Sequence, residues 1–198
     1  MTMQELVVTI KKYIPEAFST IFQQGVTLKI RTGISVRDFL CGNLGLSTEY
    51  VENRISTIFL NGQPVDSLDS SHIKDRSTIS LSAAMPGLVG ATMRRGGFYA
   101  SFRNTITYKD DGKSSEVTDG SVRIKLFNII MKEIGEDLLR KGIYITCDDT
   151  RELIENSAFD FLQNCVSAIM DGKEIEHERL LDGSILNKCD VVLLRVES

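Results

Sequence analysis

The sequence predicts an α+β fold made of two similar units in tandem, on three observations. Two stretches echo each other: Arg-Ile-Ser-Thr-Ile-Phe-Leu-Asn-Gly-Gln-Pro-Val-Asp from Arg54 to Asp66, and Cys-Val-Ser-Ala-Ile-Met-Asp-Gly-Lys-Glu-Ile-Glu from Cys165 to Glu176. Each is an apolar run that ends in Asn-Gly or Asp-Gly, the pairs that admit the left-handed backbone of a two-residue hairpin turn. Around both runs the same elements recur in the same order, which marks a duplicated unit. The 198 residues, 42% hydrophobic and 25% charged, also suffice for two small cores.

The first unit opens with Gln4 to Gln24, where Leu6, Ile10, Ile14, Ala17, Phe18, Ile21 and Phe22 fall on one helical stripe. Pro15 breaks or kinks it near Ile14, and Gly25 stops it. Val26–Ile30 alternates like a half-buried strand. Ser35 caps a helix over Val36–Leu44 that buries Val36, Phe39 and Leu40. Ile55–Leu60 is a strand that runs into the Asn61-Gly62 turn, Val65 opens the return, and Thr78–Ser82 closes the unit.

The second unit repeats that order. Arg123–Lys141 reads as a helix with Phe127, Ile130, Ile134 and Leu138 on its apolar face, and Gly142 stops it as Gly25 stops the first. Ile143–Thr146 is a strand. Thr150 caps a helix over Arg151–Leu162. Val166–Met170 leads into Asp171-Gly172, and Val191–Val196 is the closing strand. Between the units, Phe98, Ala100, Phe102, Ile106 and Tyr108 share one parity, as on a strand face. With the turn signal Asp110-Asp-Gly-Lys113 they predict a hairpin that returns over Ser115–Thr118. The domains expected are thus 1–85, a Gly-rich connector and hairpin over 86–121, and 122–198.

Charge narrows the function classes. Residues 1–100 carry ten Lys and Arg against eight Asp and Glu, and residues 101–198 thirteen against nineteen, for a net −4. No clustered basic face of the kind nucleic acid requires follows from this, so no nucleic-acid partner is expected. No apolar run approaches a membrane span, so no membrane association is expected. Cys41, Cys147, Cys165 and Cys189 form no Cys-x-x-Cys pair, and His72 and His177 lie near none of them. The expectation is four reduced cysteines in a cytoplasmic protein, with no metal and no cofactor.

The connector holds the candidate site. Gly87, Gly90, Gly96 and Gly97 allow close backbone approach, and Arg94 and Arg95 offer bidentate guanidinium groups, a combination suited to cradling an anion. The P-loop spacing is absent. A plain connector whose Leu88, Val89 and Met93 pack on a neighbour accounts for the same residues. No Ser–His–Asp or Cys–His constellation assembles, so no catalytic residue is assigned. Glu174-Ile-Glu-His-Glu178 reads as a solvated return, and Asp148-Asp149 as helix-start charge.

Ser35-Val-Arg-Asp-Phe-Leu40, Phe59-Leu-Asn-Gly62, Ile73-Lys-Asp75 and Thr78-Ile-Ser-Leu81 resemble the β-grasp, ubiquitin-like superfamily. They are most similar to its sulfur carriers, the molybdopterin-synthase small subunit and the thiamine-pathway carrier. The resemblance covers residues 25–85 and, more faintly, 142–196. It implies a β-grasp fold for each unit, which serves carriers, ligand binders and adaptors alike. The carriers end in Gly-Gly, whereas here Gly96-Gly97 is followed by 101 residues, so a carrier role would require cleavage after Gly97.

The leading expectation is therefore a non-catalytic binding or adaptor protein that contacts a protein partner, a second copy of itself or a small anionic ligand through the connector. The alternatives are a carrier precursor matured after Gly97, and an enzyme whose site lies between the two units.

Overall fold

The computed structural model describes residues 2–110, 116–156, 164–181, 186 and 189–198. In chain order the strands are β1 (Met3–Ile10), β2 (Val26–Thr32), β3 (Ile34–Ser35), β4 (Thr57–Leu60), β5 (Gln63–Pro64), β6 (His72–Ile73), β7 (Ser77–Ser82), β8 (Thr118–Leu126), β9 (Ile143–Thr146), β10 (Cys165–Met170), β11 (Lys173–Glu174) and β12 (Val191–Glu197). The helices are α1 (Ser19–Gln24), α2 (Val36–Asp38), α3 (Thr48–Asn53), α4 (Gly87–Met93), α5 (Asn128–Lys141), α6 (Cys147–Asn156) and α7 (His177–Leu181). Short 3-10 helices add Pro15–Phe18 and Phe98–Arg103, and a widened turn over Phe39–Asn43 continues α2. The chain is α+β, as expected. It forms two compact units: a central one, Thr27–Ile130, and a terminal one made of Met1–Val26 with Met131–Ser198. Compactness thus divides the chain at places other than residues 85 and 121.

The central unit has the strand order β2-β8-β7-β4-β5, with β3 and β6 paired apart from it. β4 runs antiparallel to β5 and β7, while β8 runs parallel to β7, from Ser77 opposite Val122 to Leu81 opposite Leu126. Ile58, Leu60, Ile79, Leu81, Ile124 and Leu126 lie on one face and are buried with Val36, Phe39 and Leu40. Ser35 caps α2 as predicted: the Asp38 amide donates to its Oγ at 3.0 Å, and that hydroxyl donates to the Asp38 carboxylate at 2.7 Å. α3, which periodicity did not reveal, has the same kind of start, with the Tyr50 amide on Ser47 Oγ at 3.1 Å.

The terminal unit has the order β11-β10-β1-β12-β9. β1 is parallel to β12 and antiparallel to β10, and β12 is antiparallel to β9. Both predicted glycine turns form. Asn61 and Gly62 have φ of 51° and 80°, and Asp171 and Gly172 have 48° and 77°, the paired left-handed residues that match strand twist in a tight hairpin. The closing strands differ. β7 pairs directly with β4 in the central unit, whereas in the terminal unit β1 lies between β12 and β10.

Three expectations are corrected. Gln4–Gln24 is not one helix, because β1 occupies Met3–Ile10 and helix begins only at Pro15. Leu6 and Ile10 suit a period of two as well as of 3.6. Val8 decides, since it is 1% exposed beside Leu6 and Ile10 and lies off the helical stripe. The same ambiguity misplaced the start of the second helix. Val122, Ile124 and Leu126 are buried in alternation as part of β8, and α5 starts at Asn128. Thirdly, Phe98–Tyr108 is no strand, and the expected hairpin does not form there: Phe98–Arg103 is a 3-10 helix. The rest of its predicted turn, 111–113, and the first residue of the predicted return, Ser115, lie outside the described residues.

Two smaller corrections concern the terminal unit. α6 starts at Cys147, not Arg151, and its cap is Thr146: the Asp149 amide donates to Thr146 Oγ1 at 3.0 Å, and the Thr146 amide to Asp149 at 3.4 Å. Thr150 sits within the helix and donates back to the Thr146 carbonyl at 2.8 Å. Predicted helix beyond Asn156 lies outside the described residues as far as Gln163. The four cysteines are not all reduced either. Cys147 and Cys189 form a disulfide with Cα atoms 6.3 Å apart, while Cys41 and Cys165 are free thiols. Burial pushes the Cys165 thiol pKa up, which keeps it unreactive.

Candidate functional site

The connector is ordered by hydrogen bonds that its own sequence does not advertise. Pro86 precedes α4 in an extended conformation, and Thr92 donates to the Leu88 carbonyl at 2.8 Å along the helix. Gly90 packs against the residue that leads into α4. A Cβ at that position would overlap the carbonyl group of Met85. Gly96, at φ 62°, makes the turn from α4 into the 3-10 helix.

Of the predicted residues, Arg95 is built into the fold. Its amide donates to the Ser56 carbonyl at 2.9 Å, and its guanidinium reaches Glu52 and the Val51 carbonyl at α3, each at 2.9 Å. Glu52 also takes Arg37 at 2.9 Å, and Arg37 in turn holds Asp69 at 2.6 Å. The hydrogen bond from Arg37, followed by the nearby charge of Arg95, holds the Glu52 carboxyl below its usual range. Arg94 is exposed, and its carbonyl and amide are used internally, accepting from Gly97 at 3.2 Å and donating to Gly90 at 3.1 Å. Gly87 is exposed at the first turn of α4, and Gly97 packs against the Arg94 and Ala91 carbonyls. The two arginines thus have different parts. One anchors the connector, and the other faces solvent.

Sequence reasoning missed Arg103. Its side chain is 1% exposed, and each of its five N–H donors has an acceptor. Nε donates to the Thr92 carbonyl at 2.7 Å, and Nη1 to Asp66 at 3.0 Å and Thr107 Oγ1 at 2.8 Å. Nη2 donates to Asp66 at 2.6 Å and, more weakly, to the Arg94 carbonyl at 3.4 Å. One guanidinium therefore ties α4, the 3-10 helix and the chain after β5 together. The signal lay in Asp66, the last residue of the first echoed stretch, but nothing local named its partner 37 positions on. Beyond Arg103, the Tyr108 amide donates to the Pro64 carbonyl at 2.8 Å. Asp110 accepts from the His72 amide at 3.1 Å and lies 3.0 Å from His72 Nδ1.

With the polar groups turned inward, the apolar side chains face out. Leu88 and Val89 of α4 are 72% and 68% exposed, and Phe98, Phe102 and Ile106 are 88%, 77% and 46% exposed. Phe98 meets Tyr99 edge-on at 5.2 Å, and Tyr99 stacks on Phe102 at 6.0 Å, a continuous run of rings. Exposed apolar surface of this extent marks an interaction site more often than chance exposure. Among the described residues, no group of three or more His, Cys, Asp and Glu side chains is placed to hold a metal ion. His177 begins α7 and is not part of an extended return.

Gly90→Ala is expected to destabilise the protein. Alanine would favour α4 by about 1 kcal/mol on helix propensity, but overlap with the Met85 backbone costs about 2–3 kcal/mol, so the clash wins. Urea denaturation with a midpoint equal to or above that of the wild type would contradict the close approach. No helix among the described residues is long and apolar enough to cross a membrane. Compared with known family models, curated proteins and solved structures, the chain matches none.

Proposed function

We propose that this chain is a non-catalytic binding protein of β-grasp type, in two divergent copies, whose connector docks a protein partner. The observation that carries the reading is the exposed ring run Phe98–Tyr99–Phe102, presented by a segment that the buried Arg103 guanidinium ties to α4 and Asp66. A rigid aromatic surface loses little entropy on binding, the property of interface anchors. Arg94 and Lys109 flank it, both exposed and without an ion-pair partner among the described residues, so the partner surface is apolar with an acidic rim. The anion-cradle alternative has less support, because Arg95 is spent on Glu52.

Nothing favours maturation after Gly97. Cleavage there would sever β8, which pairs along β7, from the chain before it. A cytoplasmic setting goes with Cys147 and Cys189 reduced, and an oxidising compartment with the bond closed.

The test compares wild type with Phe98→Ser/Phe102→Ser and with Arg94→Glu in cross-linking from the native cell, followed by affinity measurement with the purified partner. The ring variant should lose at least about 2 kcal/mol of binding, as hot-spot aromatics do. Arg94→Glu should slow association. A partner bound equally by wild type and by the ring variant would sink the assignment. A dimer in sedimentation that the ring variant dissolves would identify the partner as a second copy.

A further inference from the structure

The central unit carries a second feature, independent of the connector's partner. On the sheet face opposite its core, Phe59, Ser80 and Lys125 form one row across β4, β7 and β8, since Phe59 stands opposite Ser80 and Ser80 opposite Lys125. Ser82, Met85, Phe127 and Asn128 complete a cavity of about 370 Å³ with them, large enough for a one- or two-ring molecule. Most of its wall is apolar, yet Lys125 stands in it half-buried, with no ion-pair or hydrogen-bond partner among the described residues. Among the described residues, no acidic side chain lines it.

Two further groups favour negative charge at the same end. The 14-residue α5 begins at Asn128, so its positive N-terminal end lies at the cavity. Ser82 Oγ accepts from Asn128 Nδ2 at 3.0 Å, which leaves the Ser82 hydroxyl hydrogen free to donate. Half-buried Lys125 lines the recess without a partner among the described residues, which leaves its ammonium available to a ligand there. Lys125, the Ser82 hydroxyl and the helix end together favour an anion that sits among them.

We propose that this cavity binds a small aromatic carboxylate. The rings lie against Phe59, Phe127 and Met85, and the carboxylate lies on Lys125 Nζ with the Ser82 hydroxyl beside it. Nothing in the site calls for covalent chemistry.

Naphthoate is a suitable probe, with naphthalenemethanol as its uncharged counterpart. Titrated into the isotopically labelled full chain, naphthoate should give saturable amide shifts centred on Phe59, Ser80, Ser82 and Lys125, and should bind more tightly than the alcohol. Lys125→Met keeps the apolar bulk and removes the charge. It should weaken naphthoate about ten- to a hundredfold, the range of one charge-assisted hydrogen bond, and leave the alcohol within about twofold. Lys125→Arg should retain binding. The proposal is overturned by the absence of saturable shifts, by shifts centred on Phe98–Ile106, or by equal binding of acid and alcohol to the wild type. That last comparison decides the matter even where a variant fails to fold.

Discussion

Asp66→Ala is expected to destabilise the protein more than Arg103→Met does, although Asp66 is the more exposed partner. The Asp66 side chain is 38% exposed and that of Arg103 only 1%. Removing Asp66 takes the acceptor from two donors of a guanidinium that is otherwise buried, and an uncompensated buried charge costs about 3–5 kcal/mol. Removing Arg103 leaves a carboxylate that solvent can reach, and methionine refills much of the volume. The cost is then about 1–3 kcal/mol, from lost hydrogen bonds and imperfect packing. Urea denaturation reads the order, and amide exchange over Gly87–Thr107 reads where it acts. Equal effects, or the reverse order, would mean that the guanidinium is not desolvated as described. Both variants should also weaken partner binding, since Arg103 holds the helices that carry the rings.

Opening the Cys147–Cys189 bond is the second large effect. The cysteines lie 42 positions apart and join the first residue of α6 to the approach to β12, where the Cys147 amide also donates to the Asp190 carbonyl at 3.3 Å. Closing a loop of that length removes unfolded-state entropy worth about 2–4 kcal/mol. Cys189→Ser, or full reduction, should therefore lower the melting temperature by roughly ten degrees. The native protein should carry two free thiols, those of Cys41 and Cys165. Four thiols under non-reducing conditions, with unchanged stability on adding reductant, would refute the pairing.

The tight turns, the α2 cap and the helix-stop glycines were legible because their chemistry is local. Asn61-Gly62 and Asp171-Gly172 take the left-handed pair their composition favours, and Ser35 caps α2 with its own hydroxyl. Gly25 and Gly142 both close helices, their amides donating to the Ile21 and Leu138 carbonyls. Segments whose apolar spacing fits two periods were not legible. Leu6 and Ile10 read as helix until β10 and β12 supply ladders for both edges of β1. Ile124 and Leu126 fall within the helix expected over Arg123–Lys141 until β7 runs beside them.

The connector shows the same division more sharply. Its glycines and arginines pointed to an unusual segment, but composition alone assigned them to a ligand. Arg95 instead closes on Glu52, and the residue that organises the segment is Arg103, through an aspartate distant in sequence. Phe98, Phe102 and Ile106 share a parity that suggests a strand, yet Phe98 and Phe102 lie on a 3-10 helix and Ile106 on the turn after it, a segment that Arg103 ties back to α4.

By itself the sequence determined the α+β class, the two hairpin turns, the α2 cap and the helix-stop glycines, all set by interactions within a few residues. Tertiary structure alone decided which strand lies beside which, the pairing of Cys147 with Cys189, and the burial of Arg103. Each of those depends on groups far apart in the chain that only folding brings within reach of one another.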